Sequence, residues 1–188
     1  MSSPPASEHP EPRSAVLQCY ALARQQLGGG ACIVALHLGP QHCAVAVGTG
    51  AEPRRLQLLE LGLQRTAAQQ FKTTPPTPLA LETAIMAVED GVMPLRALIP
   101  EGALLCSHDT VVHQIARVSG LASPEPMVLS LEDLERSFQR LSQVVLGSPA
   151  AHQGVPGDPH FAMALLILRE FMQHLQFTQL TVLQPLAA

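Results

Sequence analysis

The stretch that decides the fold is ACIVALHLGPQHCAVAV, residues 31–47. Residues 31–38 form an apolar run with several branched side chains and the length of a strand, and residues 42–47 form a second such run. Only Gly39, Pro40 and Gln41 lie between them, which favours a turn. Because strands joined by short turns pair antiparallel, this stretch predicts a β-hairpin.

The segments on either side of the hairpin extend this prediction. Residues 48–53 predict a second turn. Residues 55–63 (RLQLLELGL) predict a third strand with two distinguishable faces. Together the runs predict a three-strand antiparallel meander. Before it, residues 14–27 carry apolar side chains at helical spacing, with Ser14 as the N-cap and three glycines after the last turn.

Helices and short strands follow the meander. Thr77 and Pro78 begin one helix, and Ser130, with Asp133 at the capping-box position, begins another. The remaining predicted elements are strand 103–106, a helix ending near 119, strand 127–129, a helix from Asp158-Pro159 to about 175, and strand 178–183. The chain is therefore predicted to be α/β, of the α+β type, with a mixed sheet and helices packed against it. Its single globular domain spans residues 14–188, after a polar, proline-rich and disordered leader at 1–13.

The same order of elements occurs in two large fold groups. Three hairpin-linked strands followed by helix, strand, helix and strand resemble the ribonuclease H-like and actin-like ATPase folds, and IVALHLGPQHCAVAVG (33–48) resembles their first hairpin. The resemblance implies an acidic residue on the first strand that holds a metal or a nucleotide. Residues 31–38 contain no carboxylate, and His37 stands near that place. A single such domain would also lack the second half that encloses a nucleotide, so no residue roles are transferred.

Composition excludes several classes of protein. Hydrophobic residues make up 47% and charged residues 14%, against about 25% charged in a usual soluble domain, which indicates much buried surface. The net charge is −4, Lys72 is the only lysine and Arg54-Arg55 the only basic pair, so no nucleic-acid partner is predicted. The longest apolar run, 161–168, is too short to span a bilayer, and no membrane association is predicted.

The pattern of cysteines predicts the cellular compartment, and the absence of known motifs limits the kinds of chemistry that the sequence predicts. Cys19, Cys32, Cys43 and Cys106 are scattered without a CxxC pair, so free and mostly buried thiols in a reducing, cytoplasmic location are predicted. The phosphate-binding GxxxxGK[ST] pattern, HExxH and GxSxG are all absent. No cofactor and no resident metal are predicted.

The best candidate site is the junction between a predicted strand and a predicted helix. It consists of Cys106, Ser107, His108, Asp109 and His113. Ligands of α/β proteins bind at the carboxyl ends of strands, and a helix N-terminus presents N–H donors to an anion. His108, Asp109 and His113 are also residue types that bind metals. The alternative is structural: Ser107 and Asp109 cap the helix, His108 is a polar loop residue and Cys106 is buried.

A second group of acidic residues lies on the helix that begins at Thr77. Glu82 and Glu89 are seven residues apart and share a face with Met86 and Met93, while Asp90 lies beside them. Paired carboxylates can transfer protons or bind a hard cation. Such residues opposite an apolar stripe are more often the hydrated face of a helix, which is the expectation here.

Two functional hypotheses follow. The first is an accessory or protein-interaction domain without catalytic activity of its own, which binds a protein partner or forms a homodimer. It depends on the low charge, the apolar seam between Leu131 and Val145, and the assumption that strand 178–183 lies at a sheet edge. The second is a small enzyme, or a metal- or anion-binding protein, with its site at Cys106–His113.

Overall fold

The hairpin forms at the residues that predict it. In this computed structural model, which describes residues 11–121 and 127–184, β1 (Ile33–Leu38) pairs antiparallel with β2 (Cys43–Gly48). Ile33 lies opposite Gly48, and Leu38 lies opposite Cys43. β3 (Arg55–Leu59) pairs antiparallel with β2 and completes the predicted meander.

Three further strands extend the sheet on the other side of β1. They are β4 (Leu104–Ser107), β5 (Met127–Ser130) and β6 (Gln179–Val182), and the sheet order is β3-β2-β1-β4-β6-β5. β4 runs parallel to both β1 and β6, whereas β5 is antiparallel to β6. The predicted fold class, a mixed sheet with an N-terminal antiparallel meander, is therefore confirmed.

Helices cover both faces of this sheet. α1 (Pro12–Leu27) packs on one face, where Val16, Cys19 and Tyr20 meet the inward side chains of β1 and β2. The other helices lie on the opposite face around α7 (Pro159–His174), whose residues 161–168 are all buried, as their continuous apolar run predicts. The α-helices are α1 (Pro12–Leu27), α2 (Leu63–Gln70), α3 (Pro78–Val92), α4 (Thr110–Val118), α5 (Leu131–Val145), α6 (Ala150–Gln153) and α7 (Pro159–His174). A 3-10 helix (Met93–Leu98) follows α3 directly.

The predicted third strand is too long. β3 ends at Leu59, and the remainder of the segment leads into α2, which the sequence did not predict. The N–H of Leu63 donates to the carbonyl oxygen of Gly39, and the N–H groups of Gln64 and Arg65 donate to that of Pro40. The first turn of α2 thus finds its acceptors in the β1–β2 turn, and no local pattern reveals such a contact.

The close approach of α2 to the β1–β2 turn requires a glycine. A Cβ built on Gly62 would lie 2.3 Å from the carbonyl carbon of Gln41 and 2.6 Å from the oxygen of Pro40. Gly62→Ala is expected to lower the free energy of unfolding by roughly 1–3 kcal/mol, measured by urea denaturation, because backbone on both sides must move. Gly29→Ala is the control, since its Cβ meets nothing within 4 Å. Equal stability of the two variants would contradict this packing.

The first helix begins earlier than predicted. Glu11 is the N-cap of α1 and Pro12 its first residue, so Ser14 lies inside the helix. Proline fits the first helical position because its missing N–H would be unpaired there in any case. Of the predicted leader at 1–13, residues 1–10 lie outside the described residues.

The two features taken to favour self-association belong to the interior of the fold. The seam residues Leu134, Phe138, Leu141 and Val145 are buried in the core beneath α7. β6 lies between β4 and β5, so the prediction of an edge strand at the chain's end is wrong. Self-association itself stays a prediction. Across residues 11–121 and 127–184, no helix combines the length and apolar character needed to cross a bilayer.

Candidate functional site

The parallel pairing of β1 with β4 brings two chain segments to one edge of the sheet. β1 ends at Leu38 and β4 at Ser107, and both strands point the same way. The β1–β2 turn and the junction between β4 and α4 are therefore neighbours. This edge is the carboxyl end of the parallel strands, where α/β folds place their ligands.

Asp109 joins the two segments. It occupies the N-cap position of α4, yet its side chain makes no capping hydrogen bond. Its Oδ2 instead accepts from the backbone N–H of Leu38 at 2.6 Å, and its Oδ1 lies 2.8 Å from Nδ1 of His37. The expectation that the Asp109 side chain caps its own helix is wrong, because the end of β1 offers it two donors.

The contact with Asp109 determines which nitrogen of the His37 ring donates a hydrogen bond. A carboxylate accepts hydrogen bonds, so a neutral His37 ring donates to Asp109 from Nδ1 and keeps its lone pair on Nε2. Both side chains are largely covered, with 13% of the His37 and 10% of the Asp109 side chain exposed. A carboxylate that orients an imidazole in this way is the arrangement of a general base.

His108 lies next to this pair, at the start of α4. Its Nδ1 is buried and has no hydrogen-bond partner among the described residues. The pKa of His108 is raised, first by a hydrogen bond with the Cys19 side chain and also by the negative charge of Asp109, although burial acts in the opposite direction. A raised pKa enlarges the fraction of positively charged imidazolium, which favours an anion nearby.

The other predicted site residues have structural contacts. Cys106 is buried, as expected, with its Sγ 3.6 Å from the carbonyl oxygen of Val34. Ser107 is buried, and its Oγ accepts from the N–H of Asp109 at 3.3 Å. His113 is buried, with Nε2 3.0 Å from the carbonyl oxygen of Leu183, and so ties α4 to the chain after β6.

The buried thiols near this edge are held in their protonated form. Burial, followed by the negative charge of Asp109, raises the pKa of Cys43 far above its usual range. The pKa of Cys19 is also raised, first by a hydrogen bond with the side chain of Cys106 and then by burial. Since the thiolate is the nucleophile, these two cysteines are unsuited to nucleophilic catalysis.

An arginine that is paired with a carboxylate lies beside this edge of the sheet. Nη1 of Arg65, on α2, lies 3.1 Å from Nε2 of His42 and pairs with the exposed carboxylate of Glu60. The contact between α2 and the β1–β2 turn positions this group. The sequence did not single out Arg65, because α2 itself was not predicted.

Two clefts that are lined by described residues do not include His37, His108 or Asp109. One, of about 400 Å³, lies between residues 99–105 and 175–179, and the other, of about 650 Å³, lies between residues 118–120 and α5. Within residues 11–121 and 127–184, no group of three or more His, Cys, Asp and Glu side chains is arranged to hold a metal ion.

The acidic residues of α3 lie on its outer side. Glu82 and Asp90 are exposed and Glu89 is partly exposed, which confirms the expected hydrated face. Met86 and Met93 are exposed on the same face.

Comparison with known proteins identifies the fold through structure alone. No family model and no curated protein matches the sequence. A solved structure of a Ppx/GppA family member of Aquifex aeolicus is similar over 92% of this chain and 58% of its own, with a TM-score of 0.70 and 14% identity. An exopolyphosphatase from Cytophaga hutchinsonii is similar over 92% and 59%, with a TM-score of 0.69 and 14% identity.

A further Aquifex aeolicus structure, described as the type II variant of a Ppx/GppA phosphatase, has a TM-score of 0.71 and is covered over 60% of its length. This chain thus spans about 60% of the length of these structures. The likeness agrees with the mixed α/β fold class predicted from the sequence. It overturns the prediction of an accessory domain without catalytic activity, because the structures that share the fold are described as phosphatases and exopolyphosphatases.

Proposed function

We propose that this chain is an enzyme that hydrolyses a phosphate-bearing anion at the carboxyl ends of β1 and β4. The contact between Asp109 and His37 carries the proposal, since it creates an oriented imidazole at the edge where this fold type binds ligands. The fold's likeness to structures described as a phosphatase and an exopolyphosphatase supports a phosphoanhydride, such as a polyphosphate chain, as the substrate.

The anion would bind at the first turn of α4. Because the Asp109 side chain turns toward β1, the N–H groups of that turn have no side-chain cap. These N–H groups and the positive end of the helix dipole suit a phosphate group. The charge of Asp109 opposes an anion, whereas the raised pKa of His108 enlarges the imidazolium fraction beside it and so acts against that repulsion.

His37 would act as the general base. Its Nε2 takes a proton from a water molecule while the water oxygen attacks phosphorus and the bond to the leaving phosphate oxygen breaks. The leaving group departs with the electron pair of that bond, and the proton held by His37 is released to solvent or to the leaving group. Asp109 keeps Nδ1 protonated and stabilises the imidazolium that forms.

The location is part of the same proposal. All four cysteines are free, and Cys19, Cys43 and Cys106 are buried. Free thiols support a reducing, cytoplasmic compartment, where disulfides are rare.

Two measurements test the proposed activity. The purified chain is incubated with pyrophosphate and with long-chain polyphosphate, and released phosphate is followed, with His37→Ala from the same preparation as the control for contaminating phosphatase. Release by the wild type alone is expected, together with a rise in Tm in the presence of the anion. No release above the His37→Ala level, with an unchanged Tm, would refute the proposal.

A further inference from the structure

The outer face of α3 carries a second apolar stripe that the fold does not cover. Leu79, Met86 and Met93 are 71%, 59% and 41% exposed. Leu79 and Met86 lie seven residues apart on α3, and Met93, the first residue of the 3-10 helix that follows directly, continues their line. At 1.5 Å per residue the three span about 21 Å. The stripe that faces the core is a separate one, formed by Leu81, Ala84, Val88 and Val92.

The charge beside this stripe is mainly negative. Glu82, Glu89 and Asp90 lie on the same side of α3, and residues 78–92 contain no lysine and no arginine. On α7, Nε2 of His174 lies 3.8 Å from a carboxylate oxygen of Glu89, and Arg96 is exposed one 3-10 turn after Met93. A single exposed apolar residue is ordinary. Three in line, with carboxylates beside them, form a surface that has an apolar stripe and an acidic border.

We propose that this face of α3 docks a basic amphipathic helix of another protein. Such a helix would place apolar residues at i, i+3 or i+4 and i+7 on Leu79, Met86 and Met93, with its lysines or arginines against the three carboxylates. Methionine suits the surface because its flexible thioether adapts to different partners. The same carboxylates repel an anionic membrane surface and a second copy of α3, which disfavours both as occupants.

The test uses the full chain and a fluorescently labelled peptide of about 18 residues, built from leucine and lysine with leucine at helical spacing. Fluorescence anisotropy is expected to show saturable binding that weakens as salt rises, because screening reduces the attraction between lysine and carboxylate. Met86→Gln is expected to raise the Kd about tenfold by removing the central apolar contact. Leu146→Gln is the matched control, since Leu146 is 68% exposed but lies just after α5.

Circular dichroism of both variants checks that each is folded. Glu82→Gln with Glu89→Gln is expected to reduce the salt dependence of binding. Equal binding of a scrambled peptide of the same composition, or an unchanged Kd for Met86→Gln, would overturn the proposal. So would sedimentation that shows a dimer of the wild type which Met86→Gln abolishes, because the face would then belong to a second copy.

Discussion

Asp109→Asn is expected to lower the rate of phosphate release about 10²–10⁴-fold while the fold remains intact. The geometry imposes one orientation on the new amide. The N–H of Leu38 can only donate, so the amide oxygen of the substituted side chain must take the place of Oδ2. The amide nitrogen then faces Nδ1 of His37 and donates to it. The imidazole must adopt the other tautomer, with its hydrogen on Nε2, and it can no longer accept a proton from water.

Three further variants make this prediction specific. His37→Ala is expected to lose activity to a similar extent, because it removes the base itself. Asp109→Ala should also lower stability by about 1–3 kcal/mol, since the N–H of Leu38 is left without its acceptor. His160→Ala is the control, as His160 is exposed at the start of α7.

Phosphate release gives the rates, urea denaturation gives the stabilities, and ¹⁵N NMR of the imidazole nitrogens reports which nitrogen of His37 carries the hydrogen. A tautomer change in Asp109→Asn without loss of activity would show that His37 is not the base. If Asp109→Asn kept both the wild-type tautomer and the activity, the orienting role of Asp109 would be refuted.

Leu165→Ala is expected to lower the free energy of unfolding by about 2–5 kcal/mol. Leu165 is fully buried near the middle of α7, in the core between the helices and one face of the sheet. The loss combines the transfer free energy of the missing methyl and methylene groups with the cavity that they leave. For a domain of this size such a loss is a large fraction of the total stability.

Leu79→Ala is the matched control for the core substitution. The same atoms are removed from a helix, but Leu79 is 71% exposed, so a change within about 0.5 kcal/mol is expected. Urea denaturation midpoints, at unchanged m-values, provide the comparison. A loss below about 1 kcal/mol for Leu165→Ala would contradict the central position of α7.

Local patterns determined much of the fold. Thr77 caps α3 through a hydrogen bond from the N–H of Ala80, and Ser130 and Asp133 form the predicted capping box. The β1–β2 hairpin lies where its apolar runs and short turn place it. These features depend on residues within a few positions of one another, which a sequence displays directly.

The errors occurred where distant segments compete for the same groups. α2 replaces the end of the predicted third strand because carbonyl groups of the β1–β2 turn accept from its first N–H groups. β6 lies inside the sheet because it pairs with both β4 and β5, and no sequence pattern states strand order. In each case a hydrogen-bond partner far along the chain decided the outcome.

The candidate site also combines features that local sequence predicts with a contact that only the tertiary structure creates. The sequence by itself determined that Asp109 stands between a strand and a helix, and that His37 stands near the end of another strand. Only the tertiary structure decided that the two meet, 72 residues apart, because β4 pairs in parallel with β1. The Asp109 carboxylate could accept hydrogen bonds from the N–H groups of its own helix or from the donors at the end of β1. Which donors it contacts depends on distances in space, and residue order alone does not contain these distances.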